Sequence, residues 1–243
     1  RSSNLSSRLH REVVESRMRP FGDGVHGFPR MVRDISRSLS KDVQLVIEGE
    51  STLVDRDILD KIEAPLNHLI RNAIDHGLET SEERSQTEKP AKGTIRLGAH
   101  HHAGMLSIIV QDDGRGVNVE NLRQKVVDKG LVDAEMSKTL SDAELMEFLF
   151  LPSFSTKEQV SEISGRGVGM DVVKTRITQL NGAVEIDSEH GKGSRIIVKL
   201  PLTLAIMPTL MVVLGGQVFA LPLANVNEIF DMESAKRSTV DGK

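Results

Sequence analysis

The chain has 243 residues, 38 % of them apolar, enough for one sizeable domain and a fragment of a second. A net charge of -4 and 3 % aromatic residues, with no Trp or Tyr, argue against the basic footprint and stacking platforms of a nucleic-acid binder. The absence of Cys removes disulfides, thiolate metal sites and cysteine nucleophiles, and no run approaches the roughly 18 apolar residues of a membrane span, so a soluble, cytoplasmic chain is expected by default.

Leu5, Leu9, Val13 and Met18 recur at roughly helical spacing until Arg19-Pro20, as in the tail of a longer helix. The eight Arg of residues 1–40 scatter around a helical pattern and read as a solvated face. Phe28, Met31, Val32, Ile35 and Leu39 predict a helix, and Val43, Leu45 and Ile47 a strand. The clearest helix covers residues 58–76, where Ile58, Ile62, Leu66, Leu69, Ile70, Ala73 and Ile74 share one face; Gly77 is expected to end it. Residues 79–93 are polar, contain Pro90 and Gly93, and predict an exposed loop. Strands around 95–97 and 106–110 follow, joined by a turn over residues 100–104. Short helical patterns near 119–129 and 141–151 lead into a polar stretch, 153–164, that suits a mobile lid. A helix over 168–180 and two strands, 183–189 and 194–200, complete a pattern of α+β layers. Beyond Pro201 the apolar runs 210–214 and 218–221 bracket Gly215-Gly216, a hairpin signal. A domain boundary is therefore expected near residue 201, with too few residues after it to complete a β-barrel.

On the helix before Gly77, the polar residues His68, Asn72, Asp75 and His76 form a stripe separate from the apolar face. An Asn side chain offers a neutral oxygen suited to magnesium, which takes few protein ligands when phosphates bridge it; His76 could bind a phosphate or the ion, and His68 could hydrogen-bond a nucleophile. Alone, this stripe reads as a solvated helix face. The strand at 106–110, however, runs into Gln111-Asp112-Asp113-Gly114-Arg115-Gly116. A carboxylate at a strand end can accept the exocyclic amine of adenine, and the glycines let backbone approach a ligand closely. The third element, Gly165-Arg166-Gly167-Val168-Gly169, opens a helix through alternate glycines, the arrangement of a phosphate site at free backbone amides. It follows no predicted strand, and no acidic residue stands in the ribose position, so the dinucleotide fingerprint fails; Gly191-Lys192-Gly193-Ser194 likewise fails as a phosphate-binding P-loop.

In this order, residues 68–77 (His-Leu-Ile-Arg-Asn-Ala-Ile-Asp-His-Gly), 112–116 (Asp-Asp-Gly-Arg-Gly) and 165–174 resemble the catalytic domain of the chemotaxis histidine kinases, the CheA family. Residues 151–157 resemble the phenylalanine box of that domain's lid, 191–194 its last nucleotide motif, and 201–206 its junction to a CheW-like regulatory domain. The resemblance implies a Bergerat (GHKL) fold, a two-layer α/β sandwich with a mixed sheet covered by helices, followed by a partial SH3-like β segment. It divides the chain into the end of a dimerisation helix (1–19), the ATP-binding kinase domain (20–200) and the start of the regulatory domain (201–243). It implies ATP and Mg2+ as ligands, Asp112 reading adenine, and Asn72 holding magnesium with help from His76. Arg71, Lys125 and Lys157 would contact phosphates, Gly165, Gly167 and Gly169 would wrap them, and Asp75, Gly114, Gly116 and Ser194 would complete the nucleotide site. His68 stands where related ATPases carry a general-base Glu and would assist the nucleophile. Two positions depart from the family pattern: Asn121 stands where a phosphate-contacting Lys is expected, and Ser194 replaces Thr.

The implied partners are a phosphotransfer domain carrying the acceptor His, a response regulator served through it, and a CheW-like adaptor with a chemoreceptor, the full-length protein being a homodimer. An ATP hydrolase of the same fold and a nucleotide-responsive scaffold are the alternative readings. His68 in place of Glu argues against the first.

Overall fold

The computed structural model describes residues 12, 15–152, 154, 169–202 and 209–222, and the chain divides into two units, residues 1–204 and 205–243. In the first unit, β1 (Met18–Pro20) is followed by two helices, α1 (Phe21–Val25) and α2 (Phe28–Ser38). Helix α2 turns Phe28 and Val32 into the core, with Met31, Ile35 and Leu39 partly buried beside them, the side its apolar spacing predicts. Strand β2 (Val43–Glu48) directs Val43, Leu45 and Ile47 to that core, and β3 (Leu53–Asp55) pairs antiparallel with β1.

The long helix α3 (Arg56–Asn72) starts at Asp55, whose carboxylate accepts the Asp57 N–H at 2.8 Å, and buries Ile58, Ile62, Leu66, Leu69 and Ile70. The expected single helix to residue 76 changes character at its end: Ala73–Gly77 forms a π-helical turn, closed by the Leu78 N–H donating to the Ala73 carbonyl at 2.8 Å. The Lys41 ammonium secures the turn and the residue after it, donating to the carbonyls of Ile74, Asp75 and Leu78 at 2.7, 2.8 and 2.8 Å. Gly77 does not adopt the left-handed conformation expected of a helix-ending glycine; its use is close approach, described below.

Residues 79–93 differ from the exposed loop that their polarity predicts. They contain α4 (Ser81–Ser85), opened by a reciprocal cap between Thr80 and Glu83, and Arg84 within it is completely buried. Strand β4 (Gly93–His102) runs through all three histidines, so these lie in a strand and not in a turn; the turn is Ala103-Gly104, both with positive φ. Strand β5 (Met105–Asp112) returns antiparallel. Then come α5 (Val119–Asp128), α6 (Ala134–Thr139), which the sequence pattern does not reveal, α7 (Asp142–Glu147), α8 (Met170–Gln179), β6 (Ala183–Glu189) and β7 (Gly193–Pro201).

The sheet order is β2-β4-β5-β7-β6, parallel between β2 and β4 and antiparallel elsewhere. A parallel pair needs a long crossover, and α3 lies in the connection that supplies it. Ile95, Leu97, Ala99, Leu106, Ile108, Val110, Val198 and Leu200 form one cluster with the buried residues of α1, α2, α3 and α8, which is the expected α+β sandwich. A second, smaller cluster gathers Leu122 and Val126 of α5, Leu145 and Met146 of α7, and Phe154. In the second unit, β8 (Thr209–Leu214) and β9 (Gln217–Pro222) form the hairpin that Gly215-Gly216 predicts, both glycines having positive φ. No helix among the described residues is long and apolar enough to cross a membrane.

Replacing Lys41 with Met should destabilise the first unit by about 1–3 kcal/mol, because three carbonyls lose their donor at once. Urea denaturation checks this, and an unchanged midpoint would mean that water substitutes for the ammonium.

Candidate functional site

The central group is Asp112, the last residue of β5, whose side chain sinks among backbone instead of facing solvent; the residue is 7 % exposed. Its Oδ1 accepts the Gly114 N–H at 2.9 Å, and the Ser194 N–H also donates to the carboxylate. Among the described residues no cation pairs with it, and the charges that act on it most, Asp113 and Glu79, have its own sign. Burial therefore outweighs the two donors and pushes its pKa up to about 6. A carboxylate has about four lone-pair positions, so Asp112 keeps acceptor capacity after both internal bonds.

Three stretches of main chain close around this carboxylate, and at two of them, Gly114 and Gly193, only glycine permits the spacing. A Cβ on Gly193 would lie 2.0 Å from the Asp112 carbonyl oxygen, one on Gly114 2.2 Å from the Gly77 carbonyl oxygen, and one on Gly77 3.2 Å from Asp112 Oδ1. The Arg115 N–H then ties the loop to the Gly77 carbonyl at 2.9 Å. Gly116, at φ +64, brings the same loop against the carbonyl of Glu189 at the start of the β6–β7 turn.

The second group of polar residues sits on the end of α3. Asn72 Nδ2 lies 2.9 Å from His68 Nε2 and also donates to Met170 Sδ at 3.6 Å. His68 Nε2 is then the acceptor and its proton is on Nδ1, the neutral tautomer. Burial, followed by the positive charge of Arg71, lowers the His68 pKa and keeps it neutral. Because the Asn72 nitrogen is engaged on the protein side, its Oδ1 is the atom left to meet a ligand. Asp75 and His76 stand 3.5 Å apart on the π-helical turn, His76 being the more exposed. Met170 opens α8 directly after Gly169, and among the described residues no side-chain cap bond takes up its first amides.

The other expected site residues have mixed placements. Lys125, on α5, holds its ammonium 5.6 Å from the Phe154 ring centroid, as does Lys129. Asn121 occupies the first turn of α5, where its N–H is capped by Asn118 Oδ1 at 2.9 Å and its side chain is exposed. Ser194 contributes through its main chain, since its hydroxyl is held by Ser188 Oγ at 2.8 Å. Lys157, Gly165, Gly167 and, apart from Phe154, the expected lid at 153–164 lie outside the described residues. The structure thus brings Asp112, Gly114, Gly116 and Ser194 together around one carboxylate, and His68, Asn72 and Gly169 around the meeting of α3 with α8.

Sequence reasoning missed the group behind Asp112. Arg84 forms a two-pronged ion pair with Asp113 and a third bond to Glu79, and Lys89 bridges Glu79 to the Asp113 and Gly114 carbonyls. The residues involved, Arg84, Lys89 and Glu79, stand among other charged residues in a segment without apolar anchors, which polarity alone assigns to solvent.

Residues 60–204 match the family described as histidine kinase-, DNA gyrase B- and HSP90-like ATPases. The chain is 44 % identical over 241 residues to the sensor histidine kinase CheAY of Helicobacter pylori, covering 99 % of this chain and 30 % of that protein. It is 43 % identical over 237 residues to the chemotaxis protein CheA of Treponema pallidum, covering 98 % and 29 % respectively. A gliding motility regulatory protein of Myxococcus xanthus is 44 % identical over 230 residues, with 95 % of this chain and 30 % of that protein covered. The chain therefore spans 29–30 % of the length of these three relatives.

A carboxyl whose folded pKa is about 6, against 3.8 when free, binds its proton better in the folded state. Stability is then lowered above pH 6 and recovered as pH falls toward 4, by about 3 kcal/mol at most. Asp112→Asn should accordingly be no less stable than the parent near neutral pH, and the difference between the two should narrow as pH falls through that window. Paired denaturation curves against pH check this; a variant markedly weaker at neutral pH would show that the ionised carboxylate is structural.

Proposed function

This chain belongs to the histidine kinase-, DNA gyrase B- and HSP90-like ATPase family, and from that premise we propose that it is the ATP-binding catalytic core of a chemotaxis-type (CheA) histidine kinase. Residues 20–200 are the kinase domain in this reading, 1–19 the end of a dimerisation helix, and 201–243 the start of a CheW-like regulatory domain. The γ-phosphoryl group of ATP passes to a His on a separate phosphotransfer domain, and from there to a response regulator. The parent protein is a homodimer that meets a CheW-like adaptor and a chemoreceptor.

The observation that carries this reading is the Asp112 carboxylate: buried, without a cation among the described residues, with unused acceptor positions, and walled by main chain. Adenine presents an amine donor at the position where guanine presents a carbonyl oxygen. An acceptor-only group therefore binds the first and repels the second. The triphosphate is directed toward α8, where Gly169 and the uncapped amides supply donors; Arg71, Lys125 and Lys157, with Gly165 and Gly167, complete the phosphate contacts.

Magnesium fits the α3 end as a guest of the phosphates. Asn72 Oδ1 offers one oxygen and His76 an imidazole, too few to hold the ion alone, which suits a cation that keeps its waters and phosphate oxygens. When bound it offsets charge on the phosphate oxygens. Phosphoryl transfer otherwise needs alignment more than covalent help: the acceptor imidazole nitrogen forms the P–N bond as the bond to the β-phosphate oxygen breaks, and ADP leaves with that electron pair. His68, kept neutral by burial, is able to accept the proton that the acceptor ring becomes more acidic in releasing. In doing so Nε2 exchanges the Asn72 amide for the acceptor ring.

His68→Gln should bind ATP within a small factor of the parent yet lose transfer by a factor on the order of 10² to 10⁴; an equal loss of affinity would make His68 structural. The purified chain should also fail to phosphorylate itself. His10, the histidine whose Arg-Glu context most resembles an acceptor box, lies outside the described residues. With labelled ATP and an acceptor domain supplied in trans, acid-labile phosphate on that domain is the expected product. Free phosphate would indicate a hydrolase, no turnover a scaffold, and stoichiometric phosphate on His10 would overturn the requirement for a separate acceptor.

A further inference from the structure

Arg84 is an unusual residue to bury completely. Its side chain is 1 % exposed, and each nitrogen of the guanidinium has a partner. Nε donates to the Pro90 carbonyl at 2.6 Å, Nη2 to Asp113 Oδ2 at 2.9 Å, and Nη1 to Asp113 Oδ1 at 3.1 Å and Glu79 Oε2 at 3.1 Å. Asp113 is held further by the Thr94 N–H on Oδ1 at 2.9 Å, while Lys89 takes the carbonyls of Asp113 and Gly114 at 3.1 and 2.6 Å. Two cations and two carboxylates balance within this cluster. Buried ion clusters add little net stability, because desolvation offsets the attraction; what they supply is fixed geometry. Here the geometry belongs to one dipeptide. Successive side chains of an extended chain point to opposite sides, so a clamp on Asp113 fixes the direction of Asp112.

We propose that Arg84 is the positioning residue of the base-recognition loop: by gripping Asp113 from behind, it aims the Asp112 carboxylate and so sets the preference for adenine over guanine. The proposal rests on the assignment of Asp112 to adenine made above. Arg84 touches no nucleotide; it acts through Asp113 and, with Lys89, through the carbonyls of the loop. Charge adds a second route. Asp113 and Glu79 already disfavour ionisation of Asp112, and Arg84 and Lys89 are the cations that offset them.

The test is calorimetric titration of the chain with ATP, GTP and inorganic tripolyphosphate, on the parent, Arg84→Lys, Arg84→Gln, Asp113→Asn and Asp112→Asn. Both Arg84 variants and Asp113→Asn should weaken ATP by about tenfold and reduce the ATP-to-GTP ratio in step, with tripolyphosphate changed by less than about twofold. The pH at which ATP affinity falls should move in opposite senses. It rises in Arg84→Gln, where two carboxylates lose their counter-charge, and falls in Asp113→Asn, where a like charge is removed. Should Arg84→Gln not fold, Arg84→Lys and Asp113→Asn carry the test. Folded variants with an unchanged ATP-to-GTP ratio and an unmoved pH midpoint would overturn the proposal, leaving Arg84 as a prop for the 79–93 segment. An Asp112→Asn variant that still prefers ATP would instead overturn the adenine assignment, which separates the two failures.

Discussion

A single ionisable group, Asp112, is buried where its charge is costly, with main-chain amides but, among the described residues, no cation to steady it. Such a group constrains everything around it. The strand that carries it has to end there, the following loop has to turn back so that Gly114 can donate to it, and the β6–β7 turn has to deliver the Ser194 N–H from the far side. The π-helical turn has to pass close beside it, and Gly77 eases that approach. In the proposed reading, the energy withheld from folding is returned when an adenine amine reaches the carboxylate, so the same burial that weakens the empty protein sharpens its recognition of ligand.

Two fastenings built on half-buried or buried cations organise the surroundings from outside the pocket. Lys41 fastens the π-helical turn by three carbonyls, holding Asp75 and His76 on a segment that would otherwise leave backbone groups unsatisfied. Arg84, with Lys89, fastens the Asp113–Gly114 backbone. Both bind main chain or a neighbouring acid and leave the proposed ligand contacts to other residues, a division that separates holding the site from using it.

Much of the layered fold was legible, because it rests on periodicity: the apolar stripe of α3 and the alternation in β2, β4 and β5 express burial directly in residue order. The hairpin at Gly215-Gly216 was legible because its turn type demands two positive φ values. The site was legible only as motifs. His68 and Asn72 stand four apart on a helix, and their contact follows from that spacing. Gly77 drew notice as a helix terminator, whereas its purpose is a tertiary approach that no local rule encodes. Arg84 and Lys41 were illegible for the same reason: a charged residue in a polar stretch defaults to solvent, and only the distant carbonyls and carboxylates it meets in three dimensions reveal otherwise. The histidines at 100–102 misled in the opposite direction, since polarity suggested a turn where strand pairing with Ser107, Leu106 and Met105 prevails.

The wall of backbone around Asp112 has a consequence for how such a protein can change over time. A pocket lined by side chains is reshaped one substitution at a time, each altering what the pocket prefers. Here the approach at Gly114 and Gly193 admits no side chain, while the donors at Gly114 and Ser194 are amides that almost every residue type carries. Drift at loop positions outside this wall leaves it the same, and a side chain at Gly114 or Gly193 breaks it. In the proposed reading, such a surface turns to a new ligand through the residues that aim its one carboxylate, Arg84 and Asp113, and not through its own lining.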